Sequence, residues 1–313
     1  MSRWNYIISR VLQMIPTFLI IMFLVFILVR LLPGDPASAI LGDRATDEDI
    51  ARINALMGLD KPLMVQFWIF LQNFFRGNLG DSIGYKIPVS TLILQRLPVT
   101  ISLTFYGALL AVALAVPLAF IAAMHRGGTI DNSIRGVFQL GLSLPTFYIG
   151  LALLTIFGAQ LGWFPIGGYG QTPLEHVYHL FLPAFALAFH LSAVLMRTLR
   201  AAIIEVLTAD YVDFARAKGL RSHVIMTKHV LRNALISTVT LLGLNIGWLF
   251  GGAVITETVF AVPGVGRLMV DSIYARDYAV VQGLTLTFAV LVLIVFLLTD
   301  LLYAQLDPRV EMS

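Results

Sequence analysis

The chain of 313 residues contains no cysteine, and only 12% of its residues are charged. Without cysteine it cannot form a disulfide, a thiolate nucleophile or a cysteine-built metal site. Hydrophobic residues make up 58% of the chain, which is more apolar surface than a soluble domain of this length can bury. The lipid bilayer must therefore be the solvent for much of the chain.

The signatures of several enzyme classes are also missing. The sequence has no Gly-x-x-x-x-Gly-Lys-[Ser/Thr] phosphate loop, no His-Glu-x-x-His pair and no Gly-x-Ser-x-Gly elbow, and its six histidines are scattered. These are the motifs that cradle ATP phosphates, hold catalytic zinc or present a nucleophilic serine. We therefore predict no catalytic residue, no metal site and no cofactor bound by this chain, and a polytopic membrane enzyme lacks the catalytic cluster it would need.

Six stretches are long and apolar enough to cross a bilayer, because a span needs about 20 mostly apolar residues. They are Val11–Leu32, Val99–Met124, Ile134–Ala159, Phe181–Leu199, Ala234–Phe260 and Gly283–Tyr303. The sequence therefore predicts an all-α integral membrane protein that forms one transmembrane domain over residues 1–313. An even number of spans puts both ends of the chain on the same side.

The distribution of Lys and Arg indicates which side that is. The net charge is +3, and basic residues cluster at both ends and in the loops 125–135 and 197–232. Loops rich in Lys and Arg face the cytoplasm in membrane proteins, so we predict cytoplasmic termini and no nucleic-acid partner. The basic residues on this face are Arg3, Arg10, Arg126, Arg135, Arg197, Arg200, Arg216, Lys218, Arg221, Lys228, Arg232 and Arg309.

Residues 33–98 are predicted to form an ordered helical segment on the opposite, periplasmic face. Thr46 can cap a first helix that ends at Gly58, and Pro62 fits the first turn of a second helix. An apolar stripe on the second helix recurs at helical spacing: Leu63, Phe67, Phe70, Leu71 and Phe74. This stripe is either a docking face for an external partner or a surface packed against neighbouring helices or the bilayer.

The loop 200–233 carries signals for two short cytoplasmic helices. Thr208 can cap the first helix, and Gly219 can end it in the left-handed conformation. Charges that suit the helix dipole lie at both ends: Asp210 and Asp213 in the first turns and Lys218 in the last. Ser222 can cap the second helix, which runs through Arg232. Such a pair resembles a DNA-binding helix-turn-helix, but spans tether it at both ends, which favours a protein partner.

Polar residues inside the spans are candidates for the solute pathway. His190 lies about 13 Å into its span at 1.5 Å per residue, and it either lines the pathway or forms a hydrogen bond between helices. Asn245 in the fifth span is a second pathway candidate. Arg30, Glu257 and Asp300 lie near span ends, where snorkelling or helix capping is the favoured explanation.

Glycine and proline patterns predict where spans approach and bend. Gly243, Gly247 and Gly251 recur every fourth residue and flatten one face of the fifth span, so that another helix can approach closely. That helix belongs either to this chain or to a second subunit. Pro117 and Pro145 are expected to kink the second and third spans.

Several short motifs occur in an order and spacing typical of one family. They are Leu-Pro-Gly-Asp-Pro at 32–36, Gly-Leu-Asp-Lys-Pro at 58–62, Asp-Tyr-Val-Asp-Phe-Ala-Arg-Ala-Lys-Gly at 210–219, Leu-Arg-Asn-Ala at 231–234, Val-Phe-Ala-Val-Pro-Gly-Val-Gly-Arg at 259–267, Arg-Asp-Tyr at 276–278 and Leu-Asp-Pro-Arg at 306–309. Over essentially its whole length the chain resembles the permeases of the dipeptide, oligopeptide, glutathione and nickel family of bacterial ABC importers.

The resemblance implies a type I ABC importer permease in the bacterial inner membrane. Its coupling motif aligns with Gly219 as the glycine, although Asp213, Phe214, His229 and Arg232 depart from the general pattern. The residues that would couple to an ATPase are Asp210, Asp213, Ala215, Arg216, Lys218, Gly219 and Leu231. The implied partners are a second homologous permease, two ATPase subunits that bind ATP and Mg, and a periplasmic solute-binding protein.

Two questions stay open at the level of the sequence. A secondary transporter or channel without ATPases has the same hydropathy, but it would favour paired acids in mid-span and an inverted repeat, neither of which is evident. The solute is also undecided, because peptides, glutathione, nickel chelates, opines and some sugars travel through similar permeases.

Overall fold

The computed structural model describes residues 3–31, Thr46, Glu48 and 60–306, and this part of the chain is a bundle of α-helices. The helices are α1 (Arg3–Leu31), α2 (Leu63–Phe75), α3 (Val89–Met124), α4 (Thr129–Ser143), α5 (Thr146–Leu153, followed by π-helical Leu154–Gln160), α6 (Pro173–Leu207), α7 (Asp210–Ala217), α8 (Ser222–Val224, followed by π-helical Ile225–Leu231), α9 (Arg232–Val259), α10 (Val265–Tyr274) and α11 (Tyr278–Leu306). The helix predicted between Thr46 and Gly58 lies, apart from Thr46 and Glu48, outside the described residues.

Five of these helices contain a continuous stretch that is long and apolar enough to cross a membrane. The stretches are Ile8–Leu28, Val89–Met124, Pro173–Leu207, Leu241–Val259 and Tyr278–Leu301. The predicted third span is different, because α4 and α5 meet at an angle of 107°. The expectation of a kink at Pro145 therefore understated the change, and the predicted third span is a broken helix.

The break follows from the chemistry of proline. Pro145 has no backbone N–H and disfavours the helical conformation in the residue before it. Leu144 accordingly adopts the extended conformation, with φ −94° and ψ 135°. By contrast, α3 continues through Pro117. The proline alone thus does not decide between a break and a continuous helix.

The broken pair still passes from one end of α6 to the other. At the start of α4, Asp131 binds Arg200 near the end of α6. After α5, the ring of Phe164 stacks on Phe181 near the start of α6, with centroids 4.9 Å apart. Counted as one broken span, α4 and α5 bring the number of spans to the predicted six.

Helix α6 lies at the centre of the bundle, with 67% of its apolar window buried. Its main neighbour is α3, where Ala111, Ala115 and Ala119 are fully buried and recur every fourth residue. Small side chains at this spacing form a flat face that allows two helices to approach closely. The core is therefore built from close backbone contact rather than from large side chains alone.

The aromatic stripe of α2 packs against α1 within the same chain. Phe67 contacts Phe26 with ring centroids 5.3 Å apart, and Phe74 contacts Phe18 at 5.5 Å. Phe70, Leu71 and Met22 belong to the same apolar cluster. Intramolecular packing, the second of the two explanations, therefore accounts for the stripe from Phe67 to Phe74, whereas Leu63 is exposed.

The glycines of the fifth span are not equivalent. A Cβ atom at Gly243 would overlap the side chain of Thr299 on α11, and one at Gly247 would lie 3.5 Å from Phe296. A Cβ atom at Gly251 would meet nothing within 4 Å. The close helix contact thus involves Gly243 and Gly247 and lies within this chain, whereas Gly251 takes no part in it.

The first and last spans bring the two ends of the described chain together. The Nε atom of Arg10 on α1 lies 3.4 Å from a carboxylate oxygen of Asp300 on α11. Asp300, near the end of the last span, is therefore neutralised by a basic side chain of the first span. The start of α1 and the end of α11 thus lie at the same side of the bundle, as an even number of crossings requires.

Candidate functional site

Helix α7, at the centre of the predicted coupling loop, ends in a Schellman motif. Gly219 has φ +73°, a left-handed conformation that favours glycine. Its N–H donates to the carbonyl of Arg216 at 2.9 Å, and the N–H of Leu220 donates to the carbonyl of Ala215 at 3.3 Å. The predicted role of Gly219 as the stop of this helix is confirmed, and its left-handed turn separates α7 from α8.

The predicted caps of the two helices were wrong. Ala209, not Thr208, precedes α7, and Thr208 ends α6 instead, with its hydroxyl donating to the carbonyl of Glu205 at 2.8 Å. Arg221, not Ser222, precedes α8, and it makes no side-chain cap hydrogen bond. The prediction for Thr208 failed because α6 continues to Leu207, so that Thr208 is the residue that ends α6 and cannot also begin α7.

Helix α7 has an inner and an outer face. Val212 and Ala215 are buried in the main core, with 0% and 5% of their surface exposed. Asp210, Asp213, Phe214, Arg216 and Lys218 are exposed. Of the residues predicted to couple to an ATPase, Ala215 and Leu231 therefore pack inward and hold the loop on the bundle.

The outer face of α7 presents an aromatic side chain among charges. Phe214 is 62% exposed, and the ammonium of Lys218 lies 4.5 Å from the centroid of its ring. Beside it, Arg216 donates to Asp213 at 3.0 Å. The sequence prediction did not include Phe214 among the site residues, although its position between buried Val212 and Ala215 on an eight-residue helix places it on the outer face.

The second arm of the loop is continuous with the fifth span. Helix α8 passes through a π-helical segment, Ile225–Leu231, directly into α9, so the helical path runs from Ser222 to Val259. Ile225 and Val230 are buried in the main core. The predicted separate short helix is therefore an extension of the fifth span, which begins three residues after Gly219.

His190, the predicted pathway residue, joins three helices. Its Nδ1 atom lies 3.0 Å from the carbonyl oxygen of Gly141 on α4, and its ring stacks on Trp248 of α9 with centroids 4.5 Å apart. In a continuous helix the carbonyl of Gly141 would accept the N–H of residue 145, which is proline. His190 thus supplies the donor that Pro145 lacks. Of the two explanations offered for His190, this contact is the hydrogen bond between helices.

Asn245 and the acidic Glu257 serve local structure in different ways. Asn245 is half-buried and donates to the carbonyl of Leu241 on its own helix at 2.8 Å. Glu257 is fully buried, and one of its oxygens accepts the N–H of Arg267 at 2.9 Å. That N–H belongs to the first turn of α10, so helix capping is confirmed for Glu257, at the start of the next helix.

Two buried carboxylates hold together the end of the bundle that lies opposite to α7. Glu257 also accepts a hydrogen bond from Thr100 of α3 at 2.5 Å, and the Thr100 hydroxyl accepts the N–H of Val265 at 2.9 Å. Asp277 accepts from the hydroxyl of Ser82 at 2.6 Å and from the N–H of Gly84 at 3.1 Å. Segments far apart in the sequence, at 82–84, 100 and 257–277, are thus held together at this end of the bundle.

Among the described residues, no group of three or more His, Asp or Glu side chains could hold a metal ion. The polar groups instead bind helix ends and neighbouring helices, as the contacts of His190, Glu257 and Asp277 show. The architecture thus consists of the loop with α7 and α8 at one end, the two buried carboxylates at the other and a broken helix between them.

The architecture is that of a membrane-spanning helix bundle, and comparison with protein families identifies its class. Residues 115–312 match the family described as binding-protein-dependent transport system inner membrane component, and residues 3–104 match the N-terminal membrane component of such systems. The chain belongs to the family of binding-protein-dependent transport system inner membrane components. It is a multi-pass protein of the bacterial inner membrane, as predicted.

Named relatives are similar over almost the whole chain. The glutathione transport system permease protein GsiC of Pectobacterium atrosepticum is 42% identical over 307 residues, which cover 98% of this chain and 99% of the relative. GsiC of Salmonella typhi is 39% identical over 307 residues, with the same coverage. A permease protein named for a peptide transport system in Brucella abortus is 42% identical over 312 residues, covering 97% and 98%.

Solved structures show the fold. A chain of the MetNI methionine ABC transporter in an inward-facing conformation aligns with a TM-score of 0.59 and 16% identity, covering 69% of this chain and 96% of that one. An amino acid ABC transporter aligns with a TM-score of 0.51 and 17% identity, covering 70% and 94%. The predicted all-α membrane fold and the resemblance to ABC importer permeases are confirmed, and family membership decides against the alternative of a secondary transporter or channel that acts without ATPases.

Proposed function

We propose that this chain forms, together with a second homologous permease, the transmembrane pathway for peptide-type solutes, among them glutathione. Support comes from relatives that are 42% identical over 97% or more of the chain and are named for glutathione and peptide transport. A periplasmic solute-binding protein delivers the solute and sets most of the specificity. Two separate ATPase subunits bind ATP and Mg and supply the energy.

The outer face of α7 is the proposed contact with an ATPase, and the observation that carries this assignment is the exposure of Phe214. A large aromatic side chain, 62% exposed and surrounded by charges, is typical of a contact that another protein covers. Buried Val212 and Ala215 fix the helix beneath it. Phe214 would fill an apolar pocket of the ATPase, and Asp213, Arg216 and Lys218 would pair with charges around that pocket.

The orientation follows from the same assignment. The face that carries α7 and the ends of α1 and α11 is proposed as cytoplasmic, in agreement with its excess of Lys and Arg. The opposite surface, held together by Glu257 and Asp277, is then periplasmic. It is the proposed docking surface of the solute-binding protein.

The test is to express the chain with its neighbouring genes, purify it in mild detergent and measure which ATPase subunits are retained. Phe214→Ala should release the ATPase and abolish ATP-driven uptake without lowering the amount of inserted chain. Phe75→Ala is the matched control, since Phe75 is also exposed but lies on α2, where the adjacent Phe74 packs against Phe18 in the middle of α1. Full retention of the ATPase by Phe214→Ala, or equal loss in Phe75→Ala, would contradict the assignment.

A further inference from the structure

A groove with a basic rim lies between α4 and α6, at the side of the bundle that carries α7. Its volume is about 270 Å³. The rim carries three guanidinium groups, those of Arg135, Arg197 and Arg200, together with the amide of Gln139. The floor is apolar: Phe138, Leu142, Ala193 and Met196. A cationic rim above an apolar floor suits a ligand that is itself amphiphilic.

The charges of the rim are only partly compensated. Arg200 is neutralised by fully buried Asp131, with Nε–Oδ1 and Nη2–Oδ2 distances of 2.7 and 2.5 Å. Asp131 also accepts the N–H of Gly127 at 2.9 Å. In the described part of the chain, Arg135 and Arg197 make no hydrogen bond or salt bridge, although the charge of Arg135 also acts on Asp131. The groove thus carries about two positive charges that attract an anion.

The position of the groove along the helices matches that of a lipid head group. Arg197 directly follows the apolar stretch 180–196 of α6, which places its side chain where the hydrocarbon gives way to the interface. From the rim, Phe138 and Leu142 follow one another along α4 towards the membrane interior. An acyl chain that runs down from a head group at Arg135 and Arg197 would contact this floor.

We propose that the groove between α4 and α6 binds the phosphate head group of an anionic phospholipid. Arg135 and Arg197 pair with the phosphate oxygens, because guanidinium groups recognise phosphate through parallel hydrogen bonds. Gln139 donates a further hydrogen bond, and Phe138 and Leu142 contact the acyl chain. Basic pockets between spans on the cytoplasmic side are suited to such head groups. Inorganic phosphate would gain nothing from the apolar floor.

The test measures lipid retention by native mass spectrometry on the full chain, purified with its co-purifying subunits. Phosphatidylglycerol and phosphatidylcholine with the same acyl chains are compared, since they differ in net charge. The protein should retain phosphatidylglycerol preferentially, and the double variant Arg135→Gln/Arg197→Gln should lose this preference. Equal retention of the two lipids by the unmodified protein would overturn the proposal.

A matched control separates the groove from general surface charge. Arg126→Gln/Arg221→Gln removes the same charge from exposed residues of the same side that do not line the groove, and it should retain phosphatidylglycerol fully. Equal loss in this control would overturn the proposal. Arg200 is left intact in both variants, because its removal would leave Asp131 buried without a partner. Unchanged unfolding temperatures of both variants show that the fold is intact.

Two further measurements distinguish other sources of the anion. Millimolar inorganic phosphate should not displace bound phosphatidylglycerol, and full displacement would indicate a site for a free anion instead. In uptake assays with peptides of different charge, the double variant should show the same KM ratio for anionic and neutral peptides as the unmodified protein. A selective rise in KM for anionic peptides, with lipid retention unchanged, would place the groove on the solute pathway and refute the lipid assignment.

Discussion

The hydrogen bond from His190 to the carbonyl of Gly141 should be required only because residue 145 is proline. His190→Phe keeps an aromatic ring against Trp248 and removes the donor that lies 3.0 Å from Gly141. Buried Gly141 then has an unpaired carbonyl. An unpaired buried polar group costs about 1–3 kcal/mol, and hydrogen bonds between spans average about 0.6 kcal/mol with a maximum near 1.7. We therefore expect a loss of about 1 kcal/mol.

Replacing the proline should remove most of this loss. In Pro145→Ala the backbone N–H of residue 145 is restored, and it can donate to Gly141 as in a continuous helix. The double variant His190→Phe/Pro145→Ala should then lose less stability than the sum of the single variants, by about 1 kcal/mol in a double-mutant cycle. The assay is equilibrium unfolding in detergent micelles.

A second proline provides the control for this cycle. Pro117 also lies inside a span, but α3 is continuous there. Pro117→Ala should leave the cost of His190→Phe unchanged. If His190→Phe costs the same in the native and Pro145→Ala backgrounds, the carbonyl of Gly141 does not need this donor, and the explanation of His190 as a replacement for the missing N–H is refuted.

Three further predictions concern the contact between α9 and α11, the turn at Gly219 and the buried carboxylate of Glu257. Gly243→Ala should lower the unfolding temperature, since overpacking against Thr299 costs about 1–3 kcal/mol. Gly251→Ala should leave it unchanged, and equal effects of the two variants would contradict the contact. Uptake should decrease in the order Gly219, Gly219→Asn, Gly219→Ala, Gly219→Pro, because asparagine tolerates positive φ better than alanine; a different order, measured as transport per inserted chain, would reject the backbone explanation. Glu257→Gln should destabilise the fold by about 1–3 kcal/mol by losing one buried acceptor, whereas Asp271→Asn at an exposed site of α10 should be neutral in the same unfolding assay.

Local features of the fold could be predicted from the sequence because their causes are local. An apolar run of about 20 residues predicts a span wherever it occurs, and Gly219 ends α7 through its own backbone conformation. The start of α6 was missed although its signal is also local. Thr172 and Glu175 form a capping box with Pro173 between them, so the helix begins eight residues before the predicted span at Phe181.

Features that depend on distant partners could not be predicted in the same way. Glu257 binds Thr100, 157 residues earlier in the chain, and no property of either residue alone indicates the other. The same holds for Asp277 and Ser82, which are 195 residues apart. The different behaviour of Pro117 and Pro145 also depends on neighbours, because among the described residues a donor from another helix, His190, satisfies the freed carbonyl at Pro145 and none does so at Pro117.

The continuous helical path from Ser222 to Val259 connects the two ends of the bundle. At about 1.5 Å per residue it is about 57 Å long, enough to cross the hydrocarbon core of about 30 Å and extend beyond it. One end begins after the turn at Gly219, and Glu257 near the other end caps α10 and binds α3. Because helices are stiff along their axis, a displacement of α7 by a partner would be transmitted along this path to the end of the bundle that holds Glu257. The π-helical segment Ile225–Leu231 is the irregular point along it, and such segments are frequent at functional sites. The segment therefore lies where the register of the span could adjust to the turn at Gly219 while buried Ile225 and Val230 keep it attached to the core.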